Sequence, residues 1–112
     1  MNRNYTLKTN EDIKKLISMR NSVGSKYYVV YYLANTETKV GISISKRCGN
    51  AVLRNYEKRV MREILRSRLE VIKNYKIFII IKKNSLSLDY KDKCKQVDYV
   101  LKKILKEKIN ET

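Results

Sequence analysis

The sequence predicts an α+β fold: an α-β sandwich of three to four mostly antiparallel strands with three helices, in the order α-β-β-α-β-α. Three observations carry this. Runs rich in β-branched and aromatic residues stand at 27–33, 39–45 and 75–82. Apolar residues recur at helical spacing in 9–20, in 51–70 and from 89 to about 109. Proline is absent and glycine occurs three times, so regular elements joined by short turns account for most of the chain. The 112 residues suit one domain spanning 1–112.

The first helix opens on Thr9 and Asp12, a loose capping box, and puts Ile13, Leu16 and Ile17 on one face. Asn21 to Ser25, with Gly24, breaks that pattern. Tyr27 to Leu33 reads as a strand with both faces covered or in use. After the polar turn Asn35–Thr38 comes a strand that alternates cleanly, Val40, Ile42 and Ile44 one way and Gly41, Ser43 and Ser45 the other. The short turn between these two strands predicts an antiparallel hairpin. Asn50 is a good N-cap for the second helix. Asn74 marks the next turn, 75–82 is an apolar strand, and Ser87 or Asp89 caps a last helix patterned by Tyr90, Cys94, Val97, Leu101 and Ile104. The strand–helix–strand unit from 39 to 82 is able to join parallel strands by a crossover, for which the general rule is right-handed.

Charge narrows the function. Lys and Arg number 26 against 11 Asp and Glu, a formal net charge of +15 in one small chain. Such self-repulsion favours a polyanionic partner, nucleic acid first and an anionic membrane surface second. No apolar run approaches the ~20 residues of a membrane span, and the polar start Met1–Asn10 lacks the apolar stretch of a signal peptide. Cytoplasmic location is the expectation. With no histidine, His-based triads, His general bases and most zinc sites are excluded. Cys48 and Cys94 have no paired spacing and read as free thiols. No Asp-Asp or Glu-Asp cluster suggests a protein-borne metal-dependent nuclease site.

The second helix concentrates the cations. At about 100° per residue with Arg54 at zero, Lys58 falls at about 40°, Arg62 at about 80°, Asn55 at about 100°, Arg66 at about 120° and Arg59 at about 140°. Leu53, Val60 and Ile64 fall at about 240–280° and predict the core face; Glu63 and Glu57, at about 180° and 300°, lie off the stripe, and Leu65, at about 20°, intrudes on it. A solvated polar face is the plain alternative. Ordinary faces, however, mix signs as Glu–Lys pairs, whereas this one is nearly all Arg and Lys. It also continues into Lys46 and Arg47, ahead of a helix N-terminus suited to a phosphate.

Residues 40–66 read Val-Gly-Ile-Ser-Ile-Ser-Lys-Arg-Cys-Gly-Asn-Ala-Val-Leu-Arg-Asn-Tyr-Glu-Lys-Arg-Val-Met-Arg-Glu-Ile-Leu-Arg. This stretch strongly resembles the signature of bacterial ribonuclease P proteins: a strand ending in Ser-Lys-Lys/Arg, then Gly-Asn-Ala-Val-x-Arg-Asn-x-x-Lys-Arg, then Arg-Glu. The first helix, the aromatic strand near residue 30 and the helical C-terminus also look like that family. The resemblance implies a four-stranded sheet, with an extra short strand near Asn21–Gly24, and a left-handed crossover through 50–70, against the general rule. It implies a protein subunit of ribonuclease P that binds the catalytic RNA and the single-stranded 5′ leader of precursor tRNA and assists removal of that leader. The RNA would hold the Mg2+ ions and perform the hydrolysis, leaving no catalytic residue in the protein. Carried over by position, Lys46, Arg47, Asn50, Arg54, Asn55, Lys58, Arg59 and Arg62 would form the RNA-binding surface, and Ile13, Ile17 and Tyr31 would line the leader cleft. Two departures stand out. Ile13 and Ile17 occupy positions where relatives often carry Phe, and Tyr56 stands where the family usually has Arg.

Other features have plainer readings. Tyr27, Tyr28, Tyr31 and Tyr32 share one strand, and one alternating set is expected in the core while a sheet-face aromatic could stack bases. Cys48 before a helix lacks any acyl-transfer surroundings, which favours a structural or incidental thiol over a nucleophile. Asp89, Asp92 and Asp98 fit capping or surface ion pairs, and Lys102–Lys108 a solvated helix face. Two other functions remain to be weighed: a stand-alone RNA-binding or ribosome-associated protein without a processing role, and a protein enzyme acting unaided.

Overall fold

Tyr75–Ile81 is apolar at nearly every position, and a strand of that composition needs cover on both faces. The structure gives it the centre of the sheet. The computed structural model describes residues 10–18 and 21–110, with side chains for 13–18 and 21–105. The elements are α1 (Asn10–Ser18), β1 (Ser22–Gly24), β2 (Tyr28–Ala34), β3 (Lys39–Ile44), α2 (Ala51–Arg66), β4 (Tyr75–Ile81) and α3 (Tyr90–Asn110). Single 3-10 turns at Lys46–Cys48 and Lys83–Ser87 precede α2 and α3. The fold is thus α+β, with four strands and three helices among the described residues, and the short strand expected near Asn21–Gly24 is present. Of the expected cap, Thr9 lies outside the described residues and Asp12 outside those with described side chains.

The sheet order is β1-β2-β4-β3. β2 pairs antiparallel with β1 and β4, while β3 pairs parallel with β4. This corrects the hairpin expected between 27–33 and 39–45. β2 and β3 do not pair; β4 lies between them, because β2 and β4 are the strands apolar on both faces and take the interior together, whereas the clean alternation of β3 suits an edge. The turn after β2 instead straddles the start of β4. Asn35 N–H donates to the Asn74 carbonyl at 2.8 Å, and Asn74 N–H donates to Thr38 Oγ1 at 2.9 Å. Asn74 itself adopts the left-handed conformation, φ 64°, which Asn tolerates better than most residues.

The two sheet faces are filled differently. Tyr28 and Val30 of β2, Val40 and Ile44 of β3, and Ile77, Ile79 and Ile81 of β4 join Met61, Ile64 and Leu65 of α2 and Val97, Val100, Leu101 and Ile104 of α3 in the main core. Fully burying each such side chain contributes about 1.5–3 kcal/mol. On the opposite face Leu16 of α1 and Phe78 of β4 form a smaller cluster with Ile13, Tyr31, Leu33 and Ile80 around it. In the tyrosine-rich strand, Tyr28 is therefore core and Tyr31 faces α1. In α3 the expected apolar pattern holds at Val97, Leu101 and Ile104 but fails at Tyr90, which is exposed at the helix start.

Side-chain caps fix the helix ends. Asn50 Oδ1 accepts from Leu53 N–H at 2.9 Å, and Asp89, the second of the two caps expected for α3, accepts from Asp92 N–H at 2.8 Å. α2 stops at Arg66, short of the expected residue 70. There Ser67 Oγ donates to the Ile64 carbonyl at 2.8 Å, and Arg68 Nη1 donates to the same carbonyl at 3.0 Å. Arg68 also grips Asp98 of α3 with Nε and Nη2, and that hydrogen-bonded carboxylate raises the Arg68 pKa above its ordinary value. Asp89 and Asp98 thus have the capping and pairing roles expected of them.

Candidate nucleic-acid interface

The cationic surface is built at the end of β3. Ser45 Oγ accepts from Arg47 N–H at 3.2 Å and Ser45 C=O from Cys48 N–H at 3.0 Å, closing a tight turn. Cys48 is buried beneath that turn while Lys46 and Arg47 are exposed. Gly49 follows at φ 144°, and a Cβ there would stand 2.6 Å from Leu53 Cδ2. Only glycine makes this link without strain. Asn50 then starts α2, whose first turn carries no acidic residue, so its positive end is uncompensated.

The face of α2 that meets the core is rotated from the one expected. Glu57, Met61, Ile64 and Leu65 are buried, an arc centred near about 330° on the same wheel, roughly 70° beyond the expected centre. Leu65, the expected intruder on the stripe, is core, whereas Leu53 is exposed and Val60 only partly buried. The reason lies on α3. Lys93 Nζ donates to both carboxylate oxygens of Glu57, so a charged position turns inward and carries the arc with it.

Arg54 and Lys58 consequently sit at the margin of the core, half-buried, while Asn55, Arg59, Arg62 and Arg66 are exposed. Arg54 Nε is shielded from solvent with no hydrogen-bond partner among the described residues. An unpaired buried donor on a cation is costly unless an outside acceptor takes it. Among the described residues the ion pairs are Lys39–Glu37, Arg68–Asp98 and Lys93–Glu57, none on the stripe. The expected RNA-binding residues Lys46, Arg47, Asn50, Arg54, Asn55, Lys58, Arg59 and Arg62 thus lie along one turn and one helix, and the cations among them are uncancelled. Asn50 is placed there too, but its Oδ1 is already engaged as the cap.

The residues expected to line a leader cleft divide. Ile13 and Tyr31 meet around Leu16 and Phe78, whereas Ile17 is exposed and stands outside that cluster. α1 packs over β2 and β4, and the β3 register places Gly41 beside Phe78 and Ser43 beside Ile80. The small side chains of β3 thus extend this sheet face toward the cationic turn. Phe78 was not singled out from the sequence. In an all-apolar strand no period-2 signal shows which residues face which way.

Among the described residues no three His, Cys, Asp or Glu side chains gather where they could hold a metal ion, both cysteines are free, and no helix is long and apolar enough to cross a membrane.

Comparison with known proteins agrees with this geometry. Residues 1–105 match the sequence profile of the Ribonuclease P family. The ribonuclease P protein component of Streptococcus agalactiae is 36% identical over 104 residues, covering 91% of this chain and 95% of that protein. A Staphylococcus aureus RNase P protein mutant with defective mRNA degradation activity superposes with a TM-score of 0.82 at 32% identity, covering 88% of this chain and 86% of the other. The RNase P protein from Thermotoga maritima gives 0.79 at 26%, covering 88% and 96%.

Proposed function

Because the chain belongs to the ribonuclease P protein family, we propose that it is the protein component of a ribonuclease P. In this role it binds the catalytic RNA and the 5′ leader of precursor tRNA and assists endonucleolytic removal of the leader. Lys46, Arg47, Arg54, Asn55, Lys58, Arg59 and Arg62 hold RNA phosphates and base edges, with Asn50 shaping the helix start. Ile13 and Tyr31, with Ile17 at the rim, line the path of the leader across the sheet face. Hydrolysis belongs to the RNA subunit and the Mg2+ ions it carries, and no step is assigned to a protein side chain. The protein raises the local concentration of its polyanionic partners and fixes their register.

The observation that carries this reading is the uncancelled cationic flank of α2, with the unpartnered Nε of Arg54 at its margin. Phosphate oxygens supply the acceptors that this flank lacks within the chain. Reconstitution with the cognate catalytic RNA at low magnesium tests it. Added protein should stimulate cleavage at the mature 5′ end. RNA binding without stimulation would favour a stand-alone RNA-binding protein, and leader removal by RNA-free protein would favour an enzyme acting unaided.

A further inference from the structure

Among the described residues three tyrosines are more than half exposed: Tyr56 at 55%, Tyr90 at 53% and Tyr99 at 51%. Two of them have company. The Lys103 ammonium lies 4.4 Å from the centroid of the Tyr99 ring, and Tyr90 stands one turn before Cys94 on α3. Tyr56 has no ring, cation or hydrogen-bond partner among the described residues. One turn before it on the same ridge stands Val52, 79% exposed. A β-branched side chain in that place neither fills the core nor favours the helix. The chain therefore presents an unused aromatic face with an aliphatic neighbour on the first two turns of α2.

We propose that Tyr56, backed by Val52, is a shelf on which one unpaired nucleobase of the catalytic RNA stacks, at the border of the cationic flank. The inference rests on the RNA-binding reading above and deepens it. On the helical wheel Arg59 falls at about 140°, Val52 at about 160° and Tyr56 at about 200°, so the apolar ridge continues directly from the arginines. A base lying on the ring would keep its phosphate within the field of Arg59, three residues on. Patch size selects the occupant. Two side chains fall far below the roughly 1,000 Å² that a specific protein interface buries, yet one ring face is all that a base needs. Bases inside a duplex have no free face, which makes an unpaired nucleotide the partner. Where an Arg at this position would hold a phosphate, Tyr56 exchanges a salt-sensitive contact for a salt-insensitive one.

The test uses the full chain and its cognate catalytic RNA. Tyr56→Ala should lose roughly 5- to 100-fold in affinity, Tyr56→Phe should stay within about twofold because stacking needs the ring and not the hydroxyl, and neither should change the salt slope. Tyr56→Arg should steepen that slope by roughly one. Since the chain has no tryptophan, Tyr56→Trp carries a single indole, whose emission should be quenched on RNA binding. The same substitution at Tyr99 should show little quenching. Full-affinity binding by Tyr56→Ala, an equal loss in the Phe and Ala variants, or an unquenched indole at saturating RNA would each overturn the shelf while leaving RNA binding intact. A concentration-dependent dimer abolished by Tyr56→Ala would assign the ridge to a second copy instead. Failure of the unaltered chain to bind the RNA would overturn the underlying reading together with the shelf.

Discussion

Lys93 of α3 reaches across to Glu57 of α2 and donates to Oε1 at 3.1 Å and Oε2 at 2.9 Å, where both residues are almost wholly buried, at 6% and 5% exposure. This pair is the only link in the main core made by charge among the described residues, and it sets how α2 is rolled against the fold. Removing one partner strands the other charge in a poor solvent. Glu57→Ala or Lys93→Ala should therefore lose about 3–5 kcal/mol, measured by urea denaturation. Replacing both with Met should restore most of that loss. If each single variant unfolds at the parental midpoint, the pair contributes nothing to the roll of α2.

Arg62 and Arg54 should behave differently. Arg62 is exposed and makes no ion pair among the described residues, so Arg62→Ala should leave stability within about 0.5 kcal/mol while lowering the slope of log affinity against log salt by roughly one. Arg54 is half-buried with an unpartnered Nε. Arg54→Ala should weaken RNA binding by a similar electrostatic amount but raise, or leave unchanged, the stability of the free protein, because the uncompensated donor is gone. Salt titrations and free-protein melts on the two variants separate these outcomes.

Gly49 is a second sensitive point. Gly49→Ala meets Leu53 Cδ2 at 2.6 Å and a φ of 144°, and should cost about 1–3 kcal/mol. Adding Leu53→Ala removes the clash but not the backbone strain, so the double variant should recover only part of the loss in a denaturation measurement.

Alkali should weaken the fold through Tyr28. Burial pushes its hydroxyl pKa from 10.0 up to about 12. Below pH 10 both folded and unfolded chains keep the proton, and the contribution is intact. As pH rises toward about 12 the unfolded chain releases its proton while the folded chain holds it, so stability falls, by on the order of 2 kcal/mol in all. The decline between pH 10 and 12 should be shallower for Tyr28→Phe, and parallel curves for the two proteins would rule Tyr28 out as the cause.

Local signals in the chain were strong and global ones weak. Asn50 and Asp89 announced caps because those side chains bond the backbone close by, and each does so, while Asn74 marked a turn because Asn tolerates the left-handed conformation it adopts. The starts of α2 and α3 were legible for this reason, whereas the end of α2 at Arg66 was not. What could not be read was competition between distant segments. Loop length favoured a β2–β3 hairpin, but β4 offered each strand a better partner, and nothing within residues 27–45 reveals that. The roll of α2 was hidden likewise, since only Lys93, 36 positions later, makes an inward Glu57 tolerable. Among the candidate site residues, the cations were visible as a pattern on one helix, whereas Phe78 became visible only once β2 and α1 were placed around it.

The central position of β4 has a consequence for biogenesis. Until Tyr75–Ile81 leaves the ribosome, β2 and β3 have no common neighbour, and in the finished sheet they stand about 10 Å apart, two strand spacings. The arginine-bearing helix is synthesised after β3 but before β4 and α3, which complete the core beneath it. A nascent chain halted after α2 would display the arginine-rich helix with no completed sheet to orient it, so its cationic flank takes its final place only once β4 has been made.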